Sequence, residues 1–139
     1  MPNNFKLKVI TPTRIPYDGE CEIVILPGVQ GEFAILHDHM PIVAALAHGI
    51  MTIRHEGEER LASVLGGFVE VVNNQVTVTA ANFEWPDEID KNRAEAARER
   101  AERNKNIAQS DIDRKRAELA LRRALVRIEL SSYSGRVGR

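Results

Sequence analysis

Two regimes of hydropathy divide the chain and predict an α+β fold: an N-terminal antiparallel β-sandwich followed by a C-terminal antiparallel two-helix hairpin. Up to Glu84 the apolar residues alternate with period two, and short turn signals separate the alternating runs. Beyond Glu84 the period lengthens to that of a helix, in two stretches rich in alanine and arginine that each carry the pattern Ile-Asp-x-x-Arg-Ala, at Ile89–Ala94 and Ile112–Ala117. The expected units are a sandwich over 1–84, a hairpin over 85–133 and a frayed tail over 134–139, where Ser-Gly-Arg-Val-Gly-Arg has no periodicity.

Phe5, Leu7 and Val9 alternate with Lys6 and Lys8, as a strand buried on one face requires. Cys21, Ile23 and Ile25 are expected on one face of the next strand, and Val76 and Val78 alternate with Gln75, Thr77 and Thr79. Between them lie the apolar runs 49–54, 60–65 and 68–72, set off by Glu56-Gly57, Gly66-Gly67 and Asn73-Asn74. The asparagine pair predicts a two-residue hairpin, because asparagine tolerates the positive φ that such turns demand. Many short strands with no helical pattern between them favour a sandwich or barrel over a βαβ fold, and a sandwich is the expectation.

Pro86 suits a first helical turn, and Asp87, Glu88 and Asp90 suit the positive end of a helix dipole, so helix one is predicted from Asp87 to Asn104. Ser110 and Asp113 have the spacing of a capping box for helix two, which should end near Ser131. Ala94, Ala97 and Ala101 recur at i, i+3, i+7, as do Ala117, Ala120 and Ala124. Such stripes allow two helices to approach closely. Each alanine buries little area at about 25 cal/mol per Å², so the hairpin should be marginal and able to unlatch.

A formal charge of −1 offers no global attraction to nucleic acid or to an anionic membrane. The halves differ: residues 1–84 carry five basic against ten acidic side chains, and 85–139 carry fourteen against ten. An acidic body bears a basic arm. The single cysteine, Cys21, rules out an intrachain disulfide and a cysteine-rich zinc site, which fits a reducing compartment. The N-terminus shows no signal-peptide core and no run approaches the roughly 18 apolar residues of a span, so membrane attachment is expected only through partners. Basic residues in the arm lack interleaved aromatics, which argues against single-stranded nucleic acid.

Catalytic motifs are missing: there is no phosphate-binding G-x-x-x-x-G-K-[ST], no G-x-G-x-x-G and no G-x-S-x-G. His37-Asp38-His39 has ligand chemistry but no evident third ligand, so a hydrogen-bonded polar loop is expected there rather than a metal or a small metal-dependent enzyme. Arginine is the suggestive residue. Arg93 and Arg100 share a helical face, as do Arg116, Arg123 and Arg127, and guanidinium groups from two packed helices can converge on an anion such as a phosphate. Helical charge alone favours the plainer reading, a solvated face of short-range pairs such as Asp90 with Arg93.

Three stretches resemble the epsilon subunit of bacterial F-type ATP synthases: Gly31-Glu-Phe-Ala-Ile-Leu-His-Asp-His-Met-Pro41, similar to G-E-[LM]-G-[IV]-L-x-x-H-x-P; Leu65-Gly-Gly-Phe-Val-Glu-Val71, similar to S-G-G-F-x-E-V; and Ile112 to Ala124 of the second helix. The resemblance implies a noncatalytic rotor subunit of a proton- or sodium-translocating synthase. It implies that the sandwich binds the gamma subunit and the c-ring, and that the hairpin extends towards the alpha and beta subunits and inhibits ATP hydrolysis. It implies a peripheral position on the cytoplasmic face of the bacterial membrane, held only through the complex. Glu32 and His39 match the loop that contacts ring and gamma. Ile89-Asp-Lys-Asn-Arg-Ala94 matches the pattern of ATP-binding members, and Glu84, Asp90, Arg93, Arg100, Arg123 and Arg127 correspond to their nucleotide-binding residues. No cofactor is required, and ATP is the implied regulatory ligand. Ala34, where the family has glycine, and Trp85-Pro86, in a stretch otherwise alanine-rich, depart from the pattern. The alternative is a free-standing sandwich module with an anion-binding helical arm.

Overall fold

The computed structural model describes residues 3–133, so the expected frayed tail lies outside the described residues. Eight strands come first: β1 (Phe5–Ile10), β2 (Tyr17–Cys21), β3 (Ile23–Gly28), β4 (Gly31–Ile35), β5 (Ile42–His55), β6 (Glu58–Val72), β7 (Gln75–Ala80) and β8 (Phe83–Glu84). They hydrogen-bond in the order β2-β1-β7-β6-β5-β3-β4, with β8 pairing β6. Phe5, Leu7 and Val9 from one end of that order and Val24, Leu26 and Ile35 from the other meet in one buried cluster, which requires the sheet to fold over on itself into two facing layers. The expected sandwich is present. One pair departs from the antiparallel expectation: β1 runs parallel to β7, with Leu7 opposite Val76 and Val9 opposite Val78.

Two local expectations are corrected. Cys21 does not share a face with Ile23 and Ile25: the chain bends at Glu22, the phase reverses, and Val24 and Leu26 are the fully buried residues of β3. Gly66-Gly67 does not separate two strands. Both residues have positive φ (88° and 127°) and bend one continuous fifteen-residue strand. The irregularity changes which parity faces the core, from Ala62 and Val64 before it to Val69 and Val71 after it. A Cβ at position 67 would lie 2.1 Å from the Thr79 carbonyl oxygen, so only glycine permits this approach of β6 to β7. Asn73 and Asn74, with φ of 51° and 61°, make the predicted tight turn between β6 and β7.

Before the bend, Leu61, Ser63 and Leu65 are buried on the face opposite Ala62 and Val64. Double-sided burial of a strand needs a second cover. The helices supply it: α1 (Lys91–Ile107) packs along α2 (Asp111–Ser131), and α2 lies across β5 and β6. Ala94 and Ala101 are buried on one helix and Ala117 and Ala124 on the other, while Ala97 and Ala120 are half-buried, so the small-residue stripes form the seam between helices. Val126 and Leu130 are fully buried on α2 and contribute about 1.5–3 kcal/mol each to its burial.

Helix one starts later than its sequence suggests. Pro86–Glu88 is a separate 3₁₀ turn, and Ile89 is extended (φ −93°, ψ 127°), which breaks the helical path. Asp90 then caps α1 by accepting a 3.1 Å hydrogen bond from the Arg93 amide, so its carboxylate is engaged with backbone rather than with the Arg93 guanidinium. At the other loop the Ser110 hydroxyl accepts from the Asp113 amide at 3.1 Å, as the capping spacing predicts.

Candidate functional site

Where α1, α2 and β8 meet, a cavity of about 280 Å³ is lined by Glu84, Glu88, Ile89, Asp90, Arg93, Ala94, Ala97, Arg100 and Arg127. Each polar wall has a local origin. Glu84 ends β8, Asp90 is the cap of α1, and Arg93 and Arg100 follow at a spacing of seven on the same helix, two turns apart on one face. Arg127 reaches in from the fifth turn of α2. The alanines Ala94 and Ala97 leave room between the charged groups, because the seam there has no larger side chain to fill it.

Glu84 and Arg127 are joined at 2.7 Å, Oε1 to Nε, with both side chains mostly buried. The Ser63 hydroxyl lies 3.4 Å from the same carboxylate oxygen and donates to it. Glu88 is held from the other side: Arg14 grips it with Nη1 at 2.7 Å and Nη2 at 2.8 Å, and the Trp85 amide donates to Oε1 at 2.8 Å. These donors favour the carboxylate form, and the Glu88 carboxyl titrates below its ordinary 4.5 chiefly because of the Arg14 hydrogen bonds. Among the described residues no carboxylate pairs with the side chains of Arg93 or Arg100. The cavity therefore presents two guanidinium groups available to an anion beside carboxylates that can accept from a base or sugar. Its volume lies just under the usual range of about 300–1,000 Å³ for small-molecule sites, so a nucleotide would be only partly enclosed.

Five of the six expected nucleotide-binding residues thus line one cavity. Arg123 does not line it; it is half-buried on α2 and acts on His48 of β5. Burial, then Arg123, Arg122 and Arg127, push that imidazole below its ordinary 6.5, and Arg122 Nε donates to the His48 carbonyl at 3.2 Å. Sequence reasoning missed Glu88 and Arg14. Glu88 falls just outside the Ile-Asp-x-x-Arg-Ala pattern, and Arg14 is 74 residues away along the chain, so no local signal joins them.

Glu32 and His39 do not line that cavity; Glu32 borders a separate one that it shares with Arg122, Val126 and Glu129 of α2. Glu32 is exposed in β4, and His39 follows that strand in a turn where its Nδ1 is 2.8 Å from the Met40 carbonyl. Another concavity, of about 540 Å³, is lined by residues of β3, β4, β5 and the turn between β3 and β4, Glu32, Phe33 and Val43 among them. Val29, Met40 and Val43 are more than 60 % exposed around it, an apolar end that invites a protein surface rather than a charged ligand. Among the described residues no three histidine, cysteine or carboxylate side chains are placed to hold a metal ion, His37 and His39 included. No described helix is long and apolar enough to cross a membrane.

Residues 4–86 match the family described as ATP synthase, Delta/Epsilon chain, beta-sandwich domain, and residues 87–132 match its long alpha-helix domain. The ATP synthase epsilon chain of Syntrophomonas wolfei is 40 % identical over 130 residues, covering 93 % of this chain and 95 % of its own. That of Halalkalibacterium halodurans is 43 % identical over 126 residues, covering 90 % and 95 %. Among solved structures, a chain of the Euglena gracilis mitochondrial ATP synthase (OSCP/F1/c-ring) superposes with a TM-score of 0.81 at 22 % identity, over 93 % of this chain and 81 % of that one, which speaks for the fold.

Proposed function

The chain belongs to the ATP synthase delta/epsilon family, as a noncatalytic epsilon subunit of the central stalk, and on that premise we propose that its hairpin is a nucleotide-sensitive brake on ATP hydrolysis. The carrying observation is the cavity at the junction of body and hairpin, which Arg93 and Arg100 line with Glu84 and Glu88 and where neither arginine has a carboxylate partner among the described residues. ATP bound there stabilises the docked hairpin, because the site exists only while α1, α2 and β8 are together. Without ATP the hairpin extends along the gamma subunit towards alpha and beta, to which a basic arm is electrostatically suited. A ligand moves this equilibrium only by its differential affinity for the two states.

The apolar end around Val29, Met40 and Val43, with Glu32 and His39 at its edge, is the surface we assign to the c-ring and gamma. The subunit then sits peripherally at the cytoplasmic face of the bacterial membrane, attached through the complex.

Calorimetric titration of the isolated protein with ATP, with and without magnesium, tests the sensor. Saturable binding that Arg93→Ala abolishes supports it. Absence of binding at millimolar ATP would leave a stalk subunit whose hairpin obeys other contacts.

A further inference from the structure

Residues after Glu84 are chemically part of the sandwich for longer than the helical pattern suggests. Phe83 and Trp85 are both in the sandwich core cluster, and their rings meet edge to face at 4.9 Å. The Arg60 guanidinium carbon of β6 lies 3.7 Å above the Trp85 ring. Arg14, in the loop between β1 and β2, donates from Nη2 to the Phe83 carbonyl at 3.1 Å and grips Glu88 with both terminal nitrogens. Glu88 in turn accepts from the Trp85 amide and so closes the Pro86–Glu88 turn on itself. Immediately beyond, Ile89 and Asp90 are both extended before α1 begins, and a two-residue extended link between two closed turns is where the chain can rotate without breaking a hydrogen-bonded ring.

We propose that the mobile arm of this chain begins at the Ile89–Asp90 junction, with Arg14 as the positioning residue that keeps the Trp85–Glu88 turn on the sandwich. The inference rests on the movable-hairpin reading above and adds where it divides. Release splits the nucleotide cavity into two walls. Glu84 and Glu88 stay with the body, whereas Asp90, Arg93, Arg100 and Arg127 leave with the arm. Neither wall alone holds Glu84 and Glu88 together with the guanidiniums, so affinity for a nucleotide falls on opening although only the backbone of the pivot need turn. The Trp85-Pro86 pair has a role in this arrangement. Tryptophan anchors the turn in the core, and proline fixes φ just after it.

Trp85 is the only tryptophan of the chain, so its fluorescence reports the anchor directly. The experiment uses the full chain with Cys21→Ala and spin labels on cysteines at Asp18 and Glu99, both exposed, to follow the arm. Val126→Asp with Leu130→Asp forces two carboxylates into the buried face of α2 and should lengthen the label distance. Arg127→Glu, which sets like charge against Glu84, is the second release variant should the first misfold. With the arm released, Trp85 emission and its acrylamide quenching constant should match the parent. Adding Arg14→Ala should then red-shift the emission and raise the quenching constant several-fold, with partial rescue by Arg14→Lys. Quenching that rises on release while Arg14 is intact would overturn the proposed pivot. A label distance unchanged in both release variants would instead overturn the movable hairpin itself.

Discussion

Arg127 of α2 reaches across the junction to Glu84 of β8, and the 2.7 Å contact is the one strong ion pair that ties the far helix of the hairpin directly to a strand of the sandwich among the described residues. Both partners are more than two-thirds buried, so the pair is less screened than the surface pairs elsewhere on the hairpin, such as Lys105 with Glu118 at 3.8 Å. Removing one member leaves the other in a partly dry site without its partner.

Arg127→Ala is therefore expected to weaken docking of the hairpin by about 1–3 kcal/mol, the range for hydrogen bonds to charged groups. The spin-label distance between body and arm reads this as a larger released fraction. Glu84→Gln, which keeps an acceptor oxygen, should cost less. Equal effects of the two would argue that packing, not the ion pair, holds α2 in place.

Glu88 has a lowered pKa, mainly through Arg14, and a carboxylate stabilised in the folded state contributes stability above its ordinary 4.5. That contribution falls away as the pH drops through the carboxylate range. Thermal unfolding followed from pH 6 to pH 3 should show a steeper loss for the parent than for Glu88→Gln. Both side chains are about a third or more exposed, so solvent screening keeps the difference to about 1 kcal/mol at most.

His48 has the opposite charge chemistry at the α2 interface. Burial and the Arg123, Arg122 and Arg127 guanidiniums disfavour its protonated form in the docked state, and its Nδ1 is buried with no hydrogen-bond partner among the described residues. Docking is thus fully favoured above the ordinary 6.5 and weakened as the pH falls below it, since the imidazole protonates more easily once the hairpin has left it. Acidification from pH 7.5 to 5.5 should raise the released fraction, and His48→Gln should flatten the dependence.

Gly67→Ala tests the bend in β6. The new Cβ would meet the Thr79 carbonyl oxygen at 2.1 Å on a backbone with φ of 127°, so the strand must shift or lose its register with β7. A loss of about 3 kcal/mol or more is expected in urea unfolding. Gly57→Ala is the control: its φ of 78° is also strained, but nothing lies within 4 Å of the added carbon.

Much of this architecture is legible along the chain because its causes are local. The period-two runs of Phe5 to Val9 and of Val76 to Val78, the Asn73-Asn74 turn and the Ser110 cap depend on residues a few positions apart, and each is found as expected. The helical seam follows from alanine spacing for the same reason. The face of Ile23 and the role of Gly66-Gly67 could not be read this way. Whether a bend reverses a strand's phase, or two glycines end a strand or only kink it, depends on which strand lies opposite.

The site divides along the same line. The arginine ladder of α1, the capping carboxylate of Asp90 and the family to which the chain belongs can be read from residue order, because a repeat of seven on a helix and a contiguous motif need no partner to be recognised. Tertiary packing alone brings Arg127 to Glu84, leaves Arg123 outside the cavity with its charge acting on His48, and lets Arg14 clamp Glu88 from 74 residues away. Such pairings arise when the hairpin folds back over β5 and β6. The rotation of α2 about its axis then sets the direction of each guanidinium, a quantity fixed by packing of Val126 and Leu130 and not by spacing along the chain.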